Sequence, residues 1–145
     1  MKRLVQRITV RARPELVFAE IAKWQDASWW PPHVPMKFTR LGGDTHIYLQ
    51  EAKVPFGPKW RTRVDSIDSQ KKIIRRTFLD GMFKGGSEEV AVRQANSFSE
   101  LEYNFRYQIK NRLMQLAWDG IFKRMHVKNI DTILLALKEH TEKAS

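Results

Sequence analysis

The chain has no cysteine among its 145 residues. That excludes disulfides and thiolate metal sites, and it fits a reducing, cytoplasmic setting. Its histidines, His33, His46, His126 and His140, show no close ligand spacing, so no structural zinc is expected. No apolar run approaches the roughly eighteen residues that a membrane-spanning helix needs. The opening residues, Met1-Lys2-Arg3-Leu4-Val5-Gln6-Arg7, lack the continuous apolar segment of a secretory signal. There is no Ser-His-Asp spacing, no metal motif and no phosphate-cradling glycine loop, and no cofactor is expected. Internal repeats and linkers are missing too. The expectation is a single domain, residues 1–145, long enough to bury one core.

Acidic residues are also scarce: Asp and Glu number 16 against 26 Lys and Arg, for a net charge of +10. The basic residues gather at 2–13, 53–76 and 110–128. The first of these stretches holds Lys2, Arg3, Arg7, Arg11 and Arg13 with no acid at all. Such a balance fits a polyanionic partner, whether RNA, the ribosome or an anionic membrane surface. It equally fits a solvated basic surface, since charge alone attracts without naming a partner.

What is present is patterning. Leu101, Tyr103, Phe105, Tyr107 and Ile109 alternate with Glu102, Asn104, Arg106, Gln108 and Lys110, the period of a half-buried antiparallel strand. Met114, Trp118, Ile121, Phe122 and Met125 then recur at helical spacing, followed by Val127, Ile130, Ile133, Leu134 and Leu137. The stripe drifts around the axis between Met125 and Val127, which predicts a kink, a local bulge or a change of packing partner there. Upstream, Leu4, Ile8, Val10 and Ala12 alternate with Val5, Arg7, Thr9 and Arg11 in a first strand. Pro14 opens a helix that ends near Trp24, and residues 26–30 form a short second one before Pro31-Pro32. Strands are predicted at about 34–41, 45–54, 58–67, 70–80, 86–95 and 98–110. Their hairpin-length connections predict an α+β fold in which a curved antiparallel sheet wraps the long C-terminal helix.

Three segments strengthen this expectation. Trp30-Pro31-Pro32-His33-Val34-Pro35, Leu79-Asp80-Gly81-Met82-Phe83-Lys84 and Asn111-Arg112-Leu113-Met114-Gln115-Leu116-Ala117, with Ile121-Phe122-Lys123, occur in that order. Together with the strand order they resemble the helix-grip fold of the START and polyketide-cyclase superfamily. The segments are most similar to its coenzyme Q-binding START-like and ribosome-association toxin group. The chain departs from that group's pattern at His33, Lys37 and Met82, so the resemblance also takes in a general polyketide-cyclase-like relative.

The resemblance implies a hydrophobic ligand, a lipid, polyprenyl quinone or polyketide, held between sheet and helix. Candidate lining residues are Trp30, Tyr48, Trp60, Phe78, Phe83, Tyr103, Phe105, Trp118, Phe122 and Met125, any of which could equally be ordinary core. Phe83, between Gly81 and Gly85-Gly86, is a candidate gate, with Trp29 and Trp30 as the opposite lip. Arg75 and Arg76 are adjacent in a strand, so regular alternation turns one inward, where it could polarise a carbonyl or bind an anionic head group. Glu88-Glu89 poses the same question on the next strand, as a salt-bridge partner or a general base. Lys59, Arg61 and Arg63 share the opposite face from Trp60, Thr62 and Val64, a basic stripe suited to phosphates. The leading expectation is a carrier of a hydrophobic small molecule. The alternatives are a polyketide cyclase/dehydratase-like enzyme and a ribosome- or RNA-associated binding protein.

Overall fold

The computed structural model describes residues 1–24, 28–32, 34, 36–42, 46–52 and 59–144. Strand β1 (Lys2–Val10) is followed by helix α1 (Pro14–Ile21), then by β2 (Met36–Arg40), β3 (Ile47–Ala52), β4 (Lys59–Asp68), β5 (Ile73–Phe78), β6 (Ser87–Ala95) and β7 (Phe98–Tyr107). The strands form one antiparallel sheet in the order β1-β7-β6-β5-β4-β3-β2. The hairpins supply every neighbour but one. The exception is β1, which pairs with β7 from Lys2 opposite Tyr107 to Val10 opposite Ser99.

Pro14 occupies the first turn of α1, where its missing N–H costs nothing, and Val17, Phe18 and Ile21 bury the helix. Part of the expected second helix, Asp26 and Ala27, lies outside the described residues, as do the turn signals at Gly43-Asp44 and 55–58. Ser28 to Trp30 form a turn.

The C-terminal helix begins where Asn111 caps it: its side-chain oxygen accepts from the backbone N–H of Leu113 (2.9 Å) and Met114 (3.2 Å). Helix α2 (Arg112–Ala117) runs into a π-helical turn (Trp118–Phe122) and on into α3 (Lys123–Ala144). A π turn holds an extra residue, so it rotates every later side chain about the axis. The drifting stripe places an irregularity between Met125 and Val127; those residues are regular α-helix, and the π turn lies upstream at Trp118–Phe122. Beyond it, Ile130, Ile133, Leu134, Leu137 and Thr141 are buried. Polar ties fix α3 along β1: Gln6 Nε2 donates to Val127 O (3.0 Å) and Asp131 Oδ1 (2.6 Å), and Lys138 Nζ donates to Thr9 O (2.9 Å).

Alternation sets the inner face of the sheet. Tyr48, Gln50, Thr62, Val64, Ile74, Arg76, Phe78, Glu88, Val90, Val92, Leu101, Tyr103, Phe105 and Tyr107 are all buried. Most are apolar, as a sheet packed on helices requires. Four are not, and they define the site.

Candidate functional site

Gln50, Thr62, Arg76 and Glu88 take inward positions on four successive strands, β3 to β6. Arg76 sits between Ile74 and Phe78, and Glu88 precedes Val90 and Val92, so each falls on the apolar beat of its strand. The two residues are direct cross-strand partners, and Arg76 Nη2 donates to Glu88 Oε1 at 2.6 Å. Both side chains are about 95% buried, at 4% and 5% exposure. A lone ion there would be prohibitive; the paired charges compensate one another. The guanidinium carbon also lies over two rings, 5.8 Å from the centroid of Trp24 and 5.6 Å from that of Phe38.

The carboxylate's other oxygen, Glu88 Oε2, accepts a hydrogen bond from the Tyr103 hydroxyl. Burial, and secondarily the Glu88 charge, raise the Tyr103 phenol well above its ordinary value, so it stays a proton donor. With that proton committed to Glu88, the Tyr103 oxygen is free to accept from His126 Nε2, 3.4 Å away and at the long limit of a hydrogen bond. Arg76, Glu88, Tyr103 and His126 therefore form a continuous polar chain from strand β5 to helix α3.

Several inward polar atoms on this face have no hydrogen-bond partner among the described residues. Arg76 Nη1, Gln50 Oε1, Thr62 Oγ1 and Trp60 Nε1 are all buried without one. Leaving such groups dry and unpaired costs on the order of 1–3 kcal/mol each. One face carrying several of them is therefore suited to receive a polar group from outside the chain.

The rest of the inner face is aromatic. Phe83 is its hub, in edge-on contact with Trp60 (6.2 Å), Phe78 (5.6 Å), Phe105 (5.1 Å), Tyr107 (6.0 Å) and Trp118 (5.0 Å). Trp118 Nε1 donates to Tyr107 Oη at 3.0 Å. His126 rests against Phe105 (5.0 Å) and Trp118 (5.6 Å). Burial there pushes its pKa below the ordinary 6.5, with the Glu88 charge opposing.

The folded chain thus binds this proton less readily than the unfolded one. The stability from neutral His126 is fully present above about pH 6.5 and is lost as pH falls through the lower folded value. We expect the melting temperature to fall between about pH 7.5 and pH 5, and His126→Gln to flatten that slope. A melting series in both proteins checks this.

The structure brings together most of the residues expected from sequence. Tyr48, Phe78, Phe83, Tyr103, Phe105 and Trp118 are buried on one face, and Trp60 is half-buried among them. Trp30 is also half-buried, packed on Phe38 and Trp24, with its Nε1 donating to Trp24 O (2.5 Å). Phe122 and Met125 stand apart, about half exposed, because the π turn presents Trp118 and His126 to the sheet instead. Phe83 lies inside the aromatic cluster. Of Arg75 and Arg76, Arg76 is the inward one; Arg75 points out and pairs with Glu89 at 2.5 Å.

The outward stripe Lys59, Arg61 and Arg63 is exposed as alternation requires, yet each member meets a carboxylate: Glu51 at 3.6 Å, Asp80 at 2.7 Å and Asp65 at 2.7 Å. Gln50, Thr62, Trp24, Phe38 and His126 were not singled out in sequence. A signal existed for three of them. Gln50 and Thr62 are polar residues on an apolar beat, and His126 lies four residues before Ile130 and eight after Trp118.

No family model matches the chain, and no curated protein matches it by sequence. Solved structures do match over nearly its whole length. A norcoclaurine synthase of Thalictrum flavum, a point mutant in complex with a transition-state analogue, superposes with a TM-score of 0.75 at 11% identity, covering 99% of this chain and 95% of that one. A protein of Thermus thermophilus reaches 0.70 at 15% identity over 99% of both chains. The Zhui aromatase/cyclase of a Streptomyces species reaches 0.67 at 17% identity, covering 98% and 94%. At these identities the likeness shows the fold alone, and this chain has the helix-grip fold.

Proposed function

We propose that the chain binds a hydrophobic small molecule bearing an oxygen-rich end group, between the inner face of the sheet and the C-terminal helix, and serves as its carrier. The observation that carries this reading is Arg76. Its charge is held by Glu88 and two aromatic rings, while Nη1 has no hydrogen-bond partner among the described residues, and neither does the inward Thr62 hydroxyl on the neighbouring strand. Nη1–H and Thr62 O–H can both donate to a carbonyl or carboxylate oxygen, and the surrounding rings suit an apolar body. The candidate classes are lipids, polyprenyl quinones and polyketides. Quinones are among them because of the three segments that resemble the coenzyme Q-binding group.

A second reading rests on the hydrogen-bonded chain itself. Glu88, Tyr103 and His126 could pass a proton beside an arginine-polarised carbonyl, the chemistry of a cyclase or dehydratase acting on a poly-ketone. Turnover of such a substrate that is lost in Tyr103→Phe, with binding retained, would favour it over the carrier.

The carrier reading is tested by mass spectrometry of organic extracts from gently purified protein, comparing wild type with the Arg76→Met/Glu88→Leu double variant. We expect a stoichiometric oxygen-bearing apolar molecule from wild type and its loss from the variant. Equal recovery from both would remove Arg76 from the binding site.

A further inference from the structure

The start of the C-terminal helix carries an apolar surface that the interior site does not use. Leu113, Met114, Leu116, Ile121, Phe122 and Met125 are between 47% and 76% exposed, and helix α2 buries no residue. They include most of the large exposed hydrophobic side chains among the described residues, gathered within thirteen positions of one helix. Scattered exposed leucines need no explanation, but a contiguous apolar ridge does. Leu113, Ile121 and Met125 follow at multiples of four residues, with Leu116 beside them. The opposite flank faces β1, where Asp119 lies 3.8 Å from Lys2 and the carbonyl of Val127 accepts from Gln6.

The charges around this ridge are nearly all positive; elsewhere the cations are mixed, some paired and some, such as Arg3 and Arg106, without an ion-pair partner among the described residues. On the outer sheet face, Lys59, Arg61, Arg63, Arg75 and Arg93 all meet carboxylates. Around the ridge, Lys110, Arg112, Arg124 and Lys128 are exposed and have no ion-pair partner among the described residues. Between residues 103 and 130 the one acidic residue is Asp119, which is turned to Lys2.

We propose that this segment is a docking surface for an anionic lipid bilayer, with the apolar ridge entering the headgroup boundary and the four cations resting on lipid phosphates. The charge pattern chooses this occupant. A second copy would set cation against cation across a symmetric contact. Nucleic acid would use the cations but leave the aliphatic side chains unmatched, since its phosphates and stacked bases favour basic and aromatic partners. A bilayer uses both kinds of residue at once. Among the described residues no helix is long and apolar enough to cross a membrane, so the contact is peripheral. The proposal stands on its own observations and does not depend on the interior ligand.

Vesicle flotation of the full chain at low salt tests it, using phosphatidylcholine vesicles with and without about a third phosphatidylglycerol. We expect binding to the anionic vesicles at least about tenfold stronger than to the neutral ones, weakening as salt rises. Leu116→Asp/Ile121→Asp and Arg124→Glu/Lys128→Glu should each cut it about tenfold or more without moving the melting temperature. No binding to anionic vesicles would overturn the proposal, as would binding that survives the apolar pair. A wild-type dimer that the apolar pair dissociates would assign the ridge to a second copy. Retention on polyuridylate without vesicle binding would assign the cations to nucleic acid.

Discussion

Glu88→Ala is expected to destabilise the fold by about 3–5 kcal/mol, because it strands a charged guanidinium inside the protein. Arg76 is 3% exposed, and among the described residues its carboxylate partner is Glu88. The same substitution removes the acceptor of the Tyr103 hydroxyl, another fully buried group. Removing both charges should behave quite differently. In Arg76→Met/Glu88→Leu, apolar side chains of similar volume replace the pair, and such exchanges in protein interiors are often neutral or stabilising by about 1–4 kcal/mol. Urea denaturation of the single and double variants checks both statements. The contrast also bears on function. If the fold is no worse off without the pair, stability does not account for its presence, and binding becomes the better explanation.

Phe83→Ala should cost about 3–5 kcal/mol, while Phe122→Ala should stay within about 0.5 kcal/mol. The two residues look alike in sequence, as aromatics near the expected site. In the structure Phe83 is 5% exposed and touches five other rings, so truncation opens a cavity whose rigid aromatic walls collapse poorly. Phe122 is 47% exposed and has little to lose. Thermal or urea melts of the pair distinguish a hub from a surface residue. A small effect at Phe83 would mean that the ring is mobile, which would restore the gate expected from its flanking glycines. Those glycines are otherwise structural. Gly81 has φ +78°, and a Cβ there would lie 2.9 Å from Trp60 Cβ. At Gly86 a Cβ would lie 2.7 Å from the Arg106 carbonyl oxygen, so the backbone itself requires glycine.

The period of the strands was legible because one face of the sheet is solvated and the other is packed on helices. Leu101 to Tyr107 show this most clearly, and so does the opposition of Arg61 to Thr62. Arg76 could be narrowed to one of two adjacent arginines, because strand alternation turns one of any such pair inward. Which one faced inward depended on the register of β5 against β6, where Arg76 meets Glu88 and Arg75 meets Glu89. The drift of the helical stripe was visible as well. Its cause, a π turn at Trp118–Phe122, was not, since an inserted residue can be absorbed anywhere along several turns. That displacement exposed Phe122 and Met125 and brought in His126. The pairing of β1 with β7 joins the first strand to the last, far apart in sequence, and no local pattern encodes it. Trp24 and Phe38 reached Arg76 by the same kind of long-range closure.

On the proposed reading, the inner face around Arg76 receives an apolar molecule through an oxygen. The most direct test is a two-dimensional NMR titration of the full chain with 2-naphthoate, a fused-ring body carrying one carboxylate. Saturable shifts are expected at the Arg76 Nε–H, the Trp118 indole N–H, the His126 ring and the Thr62 amide, with the last three absent in the Arg76→Met/Glu88→Leu variant. Shifts confined to the helix start from Leu113 to Met125, or to the outer face around Arg61 and Arg75, would contradict it.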